Sequence, residues 1–206
     1  MTATVRFPQP YTGGAAAQEA MRQTLLPALL ERFPEGVEEL PTPFDIAQLK
    51  VMPDKLRDVC VFLKEHGFNV LMDVAGVDYL PRTPRFEVVY HLVALPSLWR
   101  LRLRVPVDES HPEVPTVSDL WPSANPAERE VWDLFGIRFA GHPNLTRILL
   151  PDDWVGHPLR KDYPLRGERE KAMGPAAERN WYHAPKRPGD APGSTGLPRS
   201  VSEGGD

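Results

Sequence analysis

The chain has 206 residues, of which 41% are hydrophobic and 24 are proline, and its formal net charge is -4. This length suits one domain with an extension or two small lobes, and the acidic balance gives no reason to expect nucleic acid as a partner. No apolar run approaches the length that spans a bilayer, so we expect membrane association only through other proteins.

The N-terminal region is predicted to be a loose lead-in followed by a helix. Residues 1–14 contain turn-forming residues without periodicity. They also lack the charged and apolar regions of a signal peptide, which favours residence in the cytoplasm. From Gln18 to Phe33, apolar residues recur at helical spacing. Pro27 interrupts this pattern, so the helix is either kinked there or begins near Thr24 with Pro27 in its first turn.

Two short strands and a second helix are predicted to follow. Residues 37–40 and 44–49 have strand-like composition and are separated by prolines. Pro53 then opens a helix, and Gly67 is placed to end it. One stripe of this helix is apolar and consists of Leu56, Val59, Cys60 and Leu63.

Cys60 is the single cysteine of the chain. Intrachain disulfides are therefore excluded. An iron–sulfur cluster normally draws several thiolates from its protein, so one cysteine alone cannot hold it. Because its neighbours are apolar, we interpret Cys60 as a small buried core residue.

Three longer strand-like runs come next, at residues 69–77, 85–95 and 98–107. The links between them are short, which favours an antiparallel meander. The order of helices and strands predicts an α+β fold for residues 15–110. In this fold, helices pack on one face of a small, mostly antiparallel sheet.

The last of these strands alternates arginine with aliphatic residues. Arg100, Arg102 and Arg104 are separated by Leu101 and Leu103, and a period of two places the arginines on one face of the strand. We interpret that face as a solvated outer face. The alternative is a basic patch that meets an acidic surface of a partner protein.

Residues 111–166 are predicted to form a short helical segment that continues into an extended stretch. Pro126 occupies the first position of a helix, and Gly136 is placed to end it. Arg129 and Asp133 have the i,i+4 spacing of an ion pair. Charged and large apolar side chains are distributed around much of this helix, so we expect it to be enclosed between its own domain and another surface.

Residues 167–206 are rich in proline, glycine, serine and charge, and they hold too few apolar residues for a core of their own. We predict an extended, proline-rich tail that is disordered unless it is bound to partner subunits. Trp181 and Tyr182 are large aromatic side chains in this polar context. We therefore predict that they anchor the tail in pockets of a partner.

One stretch of the chain is similar to a known family. ANPAEREVWDLFGIRFAGHPNLTRILLPDDWVGHPLRKDYPL, which begins at Ala124, resembles the signature of the 30-kDa-type component (the C subunit) of respiratory complex I over about forty consecutive positions. The upstream stretch FNVLMDVAGVDYL resembles the same family more loosely.

The resemblance implies a non-catalytic structural subunit of the peripheral arm of a proton-translocating NADH:quinone oxidoreductase, without activity in isolation. Such a subunit lies at the cytoplasmic face of the inner membrane, beside the quinone-site (49-kDa-type) subunit, and its C-terminal part runs over neighbouring hydrophilic-arm subunits. It holds no cofactor and binds no small-molecule substrate directly, whereas FMN and iron–sulfur clusters are implied in partner subunits. A homologous subunit of a membrane-bound hydrogenase or of a photosynthetic-type complex is the alternative within the family.

We predict that polar residues of this signature contact partner subunits. In the extended stretch intrachain partners should be few, so its basic side chains are expected to bond to carboxylates or carbonyls of a partner. For Glu128, Glu130 and Asp133, an ion-pair network around Arg129 is favoured over acid–base chemistry. The predicted partner-interface residues are Glu128, Arg129, Asp133, His142, Arg147, His157, Arg160, Lys161, Trp181 and Tyr182.

A function of another class would be a stand-alone metal-dependent hydrolase built on His142, Asp152 and His157. Neither histidine belongs to a compact pair such as HExxH, and both precede proline in turn-like sequence. We therefore predict no metal site, no catalytic residue and no cofactor-binding residue in this chain. Both histidines are interpreted as turn or partner-contact residues, with proton transfer near a quinone pocket as a minor alternative.

Overall fold

The structure is a computed structural model that describes residues 12–41, 46–95 and 97–164. Within these ranges the chain forms three α-helices and seven β-strands. The helices are α1 (Thr12–Arg32), α2 (Leu56–Glu65) and α3 (Ala124–Phe135). The strands are β1 (Val37–Leu40), β2 (Ala47–Val51), β3 (Val70–Asp78), β4 (Phe86–Ala94), β5 (Trp99–Val107), β6 (Glu113–Pro115) and β7 (Arg138–Ala140).

Five strands form one sheet in the spatial order β1-β2-β5-β4-β3. The pairs β1–β2, β5–β4 and β4–β3 are antiparallel, whereas β2 and β5 are parallel. The predicted meander and the mostly antiparallel α+β fold are therefore confirmed. A small second sheet, in which β6 pairs in parallel with β7, was not predicted. Each of its strands has three residues, which is too short for a readable alternation.

Helix α1 begins at Thr12, earlier than either predicted start, so residues 12–14 of the predicted lead-in are helical. The helix also continues through Pro27, although proline has no N–H to donate to the preceding turn. Met21, Leu25 and Leu29 are buried along one side of α1. This tertiary packing stabilises the helix more than the lost hydrogen bond destabilises it.

The core lies between one face of the five-stranded sheet and the helices. Alternate residues of β4 and β5 are buried, and they belong to one apolar cluster with the buried residues of all three helices. The predicted apolar stripe of α2 is fully buried, and Gly67 follows the helix with a φ of +93°, as expected of its capping position. Cys60 is fully buried, which confirms the predicted core residue, and burial raises the pKa of its thiol.

The predicted alternation in β5 is also confirmed, with the aliphatic residues buried and the arginines partly exposed on the other face. Arg104 donates from Nε to Oε1 of Glu87 at 2.7 Å and from Nη2 to the hydroxyl of Tyr79 at 2.9 Å. Its charge is thus compensated within the chain. Contact of this face with an acidic partner surface stays a prediction.

Of the described helices, none is long and apolar enough to cross a membrane. The predicted tail of residues 167–206, with Trp181 and Tyr182, lies outside the described residues. Residues 1–11 of the predicted lead-in and residues 44–45 of the predicted second strand also lie outside the described residues. In the structure, the second strand begins at Ala47.

Candidate functional site

Helix α3 packs closely against β3 on the core side of the sheet. A Cβ atom at Gly76 would lie 2.6 Å from Cδ2 of Phe135, so only glycine lets the helix approach this strand. The helix ends before Gly136, as predicted, and the φ of Gly136 is +75°. The signature segment, defined as residues 141–164, then runs along α3 from its start to its end.

The carboxylate of Asp133 fastens the middle of the signature segment to α3. Its Oδ2 accepts hydrogen bonds from the backbone N–H groups of Ile148, Leu149 and Leu150 at 3.1, 2.9 and 2.9 Å. Its Oδ1 accepts from Nη1 of Arg147 at 2.5 Å. Burial opposes ionisation of this carboxyl, but the four bonds outweigh burial and hold the pKa of Asp133 below its ordinary value.

Two arginines add further bonds to the same segment. Arg129 donates from Nε to the carbonyl of Thr146 at 3.0 Å and from Nη2 to the carbonyl of Arg147 at 2.8 Å. Arg147 in turn donates from Nη2 to the carbonyl of Trp154 at 2.9 Å. The predicted ion pair between Arg129 and Asp133 is therefore wrong, because Arg147 occupies that carboxylate.

The C-terminal end of α3 is capped by the signature segment. Nδ1 of His157 donates to the carbonyl of Asp133 at 2.9 Å, and Nε of Arg160 donates to the carbonyl of Phe135 at 2.5 Å. The last carbonyls of a helix have no partner within the helix, and a cation near them also interacts favourably with the helix dipole. Burial lowers the pKa of His157, although its bond to the Asp133 carbonyl acts in the opposite direction.

Replacing Gly136 by alanine should destabilise this capped end. A Cβ atom there would lie 2.5 Å from Nη2 of Arg160 and 2.6 Å from Cδ2 of His157, in a left-handed backbone conformation. We expect the free energy of unfolding to fall by roughly 2–4 kcal/mol from backbone strain and overpacking together. Chemical denaturation measures this change. Gly67→Ala is the matched control, because Gly67 is also left-handed but has no atom within 4 Å of the added Cβ, so about 1 kcal/mol is expected. Equal losses in the two variants would contradict the close packing at Gly136.

A buried arginine holds the far end of the signature segment to the sheet. Arg85, whose side chain is 3% exposed, donates from Nη2 to Oδ2 of Asp78 at 2.8 Å and to Oδ1 of Asp162 at 2.5 Å. Nη1 of Arg85 also donates to Glu109. Sequence reasoning missed this cluster, because Asp162 is 77 residues from Arg85 and neither residue stands in a recognisable spacing with the other.

The arginines of the signature segment have partners within the chain. The predicted shortage of intrachain partners is wrong for Arg147 and Arg160. Both guanidinium groups are bound within the chain, and the backbone N–H of Lys161 donates to Oδ2 of Asp78 at 2.8 Å. The segment lacks regular secondary structure but lies against α3, which the sequence does not show. The side chain of Lys161 itself is exposed.

Glu128 and His142 lie inside the molecule at the start of α3. The two side chains are both 0% exposed, with 3.9 Å between Oε2 of Glu128 and Nε2 of His142. Glu128 accepts hydrogen bonds from the hydroxyl of Thr116 and the backbone N–H of Val117. The predicted ion-pair network around Arg129 is therefore wrong for Glu128. Neither side chain is available for direct contact with a partner in this conformation.

The three residues of the metal-site alternative are not brought together. His142 contacts the carbonyl of Asn125 near the start of α3, and His157 contacts the carbonyl of Asp133 near its end. Those two carbonyls are eight positions apart along the helix, which corresponds to about 12 Å. Asp152 is exposed on the signature segment between them. Across residues 12–41, 46–95 and 97–164, no group of three His, Cys, Asp or Glu residues is placed to bind a metal ion.

The outer side of the signature segment carries several exposed apolar side chains beside its exposed polar ones. Large side chains that are 40–58% exposed come from Ile148, Leu149, Val155 and Leu159. The backbone N–H groups of Ile148 and Leu149 point inward to Asp133, so their side chains face outward on a fixed backbone. The polar groups of the site hold the signature segment in place, and several apolar side chains of that segment are exposed to solvent. Exposed apolar side chains on a fixed backbone make this segment a candidate interaction surface.

Comparisons with known proteins identify the family of the chain. A family model described as respiratory-chain NADH dehydrogenase, 30 Kd subunit, matches residues 49–169. The NADH-quinone oxidoreductase C subunit 2 of Rhizobium etli is 49% identical over 146 residues, which are 69% of this chain and 78% of that protein. The NADH-quinone oxidoreductase C subunit of Moorella thermoacetica is 49% identical over 147 residues, which are 71% of this chain and 93% of that protein.

Solved structures show the same fold. A trypsin-resistant fragment (1-134) of Nqo5 superposes with a TM-score of 0.55 at 38% identity and covers 60% of this chain and 98% of the fragment. A chain of the membrane-bound sulfane sulfur reductase, an archaeal respiratory membrane complex, superposes with a TM-score of 0.63 at 26% identity and covers 79% of this chain and 96% of that chain. The chain therefore belongs to the family of the 30-kDa subunit of respiratory-chain NADH dehydrogenase, which is the C subunit of NADH-quinone oxidoreductase, and the predicted resemblance is confirmed.

Proposed function

We propose that this chain is a non-catalytic structural subunit of the peripheral arm of a proton-translocating NADH:quinone oxidoreductase. It docks beside the quinone-site (49-kDa-type) subunit on the cytoplasmic face of the inner membrane, and it reaches the membrane only through the complex. Residues 167–206 clamp neighbouring subunits, with Trp181 and Tyr182 as anchors. The exposed Lys161 bonds to an acidic group of a partner.

The observation that carries this proposal is the apolar surface of the signature segment. Four large side chains are exposed on it, and the backbone beneath two of them is fixed by Asp133. A pre-ordered surface loses little conformational entropy when it binds, and buried apolar anchors supply much of the binding energy of protein interfaces. Such a surface suits a partner that covers it permanently, as in a stable complex.

In this proposal FMN and the iron–sulfur clusters belong to partner subunits, and this chain contributes no redox group. Its single cysteine, Cys60, is buried with a raised pKa, which disfavours the thiolate that a metal requires. The proposal assigns to this chain neither a nucleic-acid partner nor a small-molecule substrate.

A second candidate is the equivalent structural subunit of a related complex that uses another electron donor, such as a membrane-bound hydrogenase or a photosynthetic-type complex. The similarity to a chain of the membrane-bound sulfane sulfur reductase, at 26% identity, supports this candidate. The 49% identity to NADH-quinone oxidoreductase subunits favours the first.

Purification of the native assembly through a tag on this chain, followed by subunit identification, tests the proposal. Recovery of a flavin-containing NADH-oxidising subunit together with the quinone-site subunit is expected. Recovery of hydrogenase-type subunits in place of the NADH-oxidising one would favour the second candidate. Recovery of the chain alone from native membranes would contradict both.

Replacing Leu149 by aspartate should weaken assembly without unfolding the subunit. Leu149 is 58% exposed, so the change adds a charge to the apolar surface and leaves the core intact. The affinity for the assembly is expected to fall at least tenfold, since a charge desolvated in an interface without a partner costs several kcal/mol. Competitive reconstitution with wild-type subunit measures the loss.

Met52→Asp is the control for this variant. Met52 is 42% exposed and follows β2, which is separated from β3 by β5 and β4 in the sheet. We expect Met52→Asp to assemble as well as wild type. If Leu149→Asp also assembled normally, the signature segment would not be the docking surface.

A further inference from the structure

A buried carboxyl group at the start of α3 is not used by the interaction surface. Glu128 is 0% exposed. Its Oε2 accepts a hydrogen bond from Oγ1 of Thr116 at 2.5 Å, and its Oε1 accepts from the backbone N–H of Val117 at 2.8 Å. A buried carboxylate is usually paired with a cation, and without one it tends to be protonated. The charge of Glu128 therefore depends on whether a cation lies next to it.

The basic group nearest to Glu128 in this cluster is His142, and both of its ring nitrogens contact backbone groups. The backbone N–H of Asn144 donates to Nδ1 of His142 at 3.1 Å, so Nδ1 carries no proton. Nε2 lies 3.2 Å from the carbonyl oxygen of Asn125, which accepts the one remaining N–H. Nε2 of His142 lies 3.9 Å from Oε2 of Glu128, so no hydrogen bond joins the two side chains.

Among the described residues near Glu128, the other titratable groups carry no positive charge that is free to pair with it. The thiol of Cys60 on α2 and the hydroxyl of Tyr90 on β4 are buried and sense its charge. The Asp119 carboxylate repels it. Arg57 is engaged by Asp119, to which it donates from Nη1 at 2.8 Å and from Nη2 at 2.5 Å.

Two hydroxyl groups connect Glu128 to the surface. Oγ1 of Thr116 lies 2.9 Å from Oγ of Ser118. Thr116 and Ser118 line an open cavity of about 520 Å³ together with Arg57, Asp119 and Gly141. A water molecule occupies about 30 Å³, so solvent reaches the outer end of this chain of hydroxyls.

We propose that Glu128 is a proton-binding site beneath α3, which exchanges its proton with solvent through the hydroxyls of Thr116 and Ser118. In the ionised form, Ser118 donates to Thr116 and Thr116 donates to Oε2 of Glu128. When a proton enters from the cavity, each hydroxyl passes one proton inward and the chain reverses. Glu128 then donates to Thr116, Thr116 donates to Ser118, and the bond from the Val117 N–H is kept. No other bond forms or breaks.

This site makes the packing of α3 dependent on pH. Burial raises the pKa of Glu128 to about 7, with the Asp119 carboxylate adding to the rise and the Thr116 and Val117 bonds opposing it. The ordinary value is 4.5. The folded protein therefore binds this proton more tightly than the unfolded chain, and the stability from the site is lost as the pH rises through about 7.

Glu128→Gln tests the proposal in the full-length subunit, because the amide resembles the protonated acid and cannot ionise. The folding equilibrium constant of wild type, divided by that of the variant, should fall about tenfold or more between about pH 5.5 and pH 8. His91 and His157, whose pKa values are lowered chiefly by burial, change stability in the opposite direction. The ratio cancels their contribution. Glu130→Gln is the control, because Glu130 is exposed on the same helix, and its ratio should stay constant.

Infrared spectroscopy of the wild-type subunit keeps the proposal testable if Glu128→Gln does not fold. The carbonyl stretch of a buried protonated carboxylic acid should appear near neutral pH and remain in Glu130→Gln. Thr116→Val removes a hydrogen bond that lowers the pKa, so its midpoint should move to higher pH, while Thr116→Ser should keep the wild-type midpoint. A carboxyl that is ionised throughout at pH 5.5 and above would overturn the proposal, and so would a midpoint that is indifferent to Thr116→Val.

Discussion

Replacing Asp133 by asparagine is expected to lower the free energy of unfolding by about 3–5 kcal/mol, which is among the largest effects that a single substitution should have in this protein. Four donors converge on this buried carboxylate, three of them backbone N–H groups and the fourth the guanidinium of Arg147. In asparagine an NH2 group, which can only donate, replaces one of the two accepting oxygens. Buried donors are then left unpaired, and the negative charge that balances Arg147 is lost. Chemical denaturation at neutral pH measures the loss.

The acid dependence of this variant provides an independent check. Because the pKa of Asp133 is lowered in the folded state, its stabilisation is complete above the ordinary value of 3.8 and is lost as the pH falls through the folded value. The difference between wild type and Asp133→Asn should therefore shrink in acid. Asp152→Asn is the control, since Asp152 is exposed on the same segment, and its effect should stay within about 0.5 kcal/mol. A loss below about 1 kcal/mol for Asp133→Asn at neutral pH would mean that Asp133 does not hold the segment.

Replacing Arg85 by methionine is expected to cost a similar amount, about 3–5 kcal/mol at neutral pH. The side chains of Arg85 and Asp78 are 3% and 2% exposed, so removal of the guanidinium leaves a buried carboxylate without its cation. The same change frees Asp162 and loosens the end of the signature segment from the sheet. Thermal or chemical unfolding of the variant measures the cost.

The pH dependence of this second variant has a predictable sign. Burial acts to raise the pKa of Asp78, but the bonds from Arg85 and from the amides of Lys161 and Leu80 hold it at about 2. The contribution of Asp78 in wild type is therefore lost only as the pH falls from about 4 toward 2. Without Arg85, Asp78 is protonated more readily, so the deficit of the variant should be smaller at about pH 3 than at neutral pH.

The exposed ion pair of Arg57 with Asp119 supplies the control for Arg85. Its two side chains are 46% and 53% exposed, and a pair in such a position contributes about 0–1 kcal/mol. Arg57→Met should therefore change stability little. Equal losses in the two methionine variants would contradict the buried character of the Arg85 cluster.

The features that could be predicted from the sequence are those with a regular period or a special residue. The apolar stripe of α2 recurs at helical spacing, and β5 alternates arginine with aliphatic residues, so in both elements the buried side is visible in one dimension. Gly136 is the left-handed residue that ends α3. Pro27 misled the prediction of α1, because a local rule for proline was outweighed by burial that the sequence does not display.

The partners of the polar side chains were decided by the tertiary structure. Arg147 and Arg160 were expected to bind a partner subunit, yet they bind Asp133 and the end of α3. Periodicity shows which side of an element is apolar, but it does not show which polar groups form hydrogen bonds with each other when they are distant in the sequence. Hydrogen bonds require donor and acceptor within about 3 Å, and only the folded chain brings such atoms together. By itself the sequence thus determined the family, the α+β class and the buried faces. Only the three-dimensional packing showed that polar residues of the signature hold the signature segment in place. Hydrogen-bonded partners in this site are up to 83 residues apart in the chain, so their pairing cannot be read from local sequence.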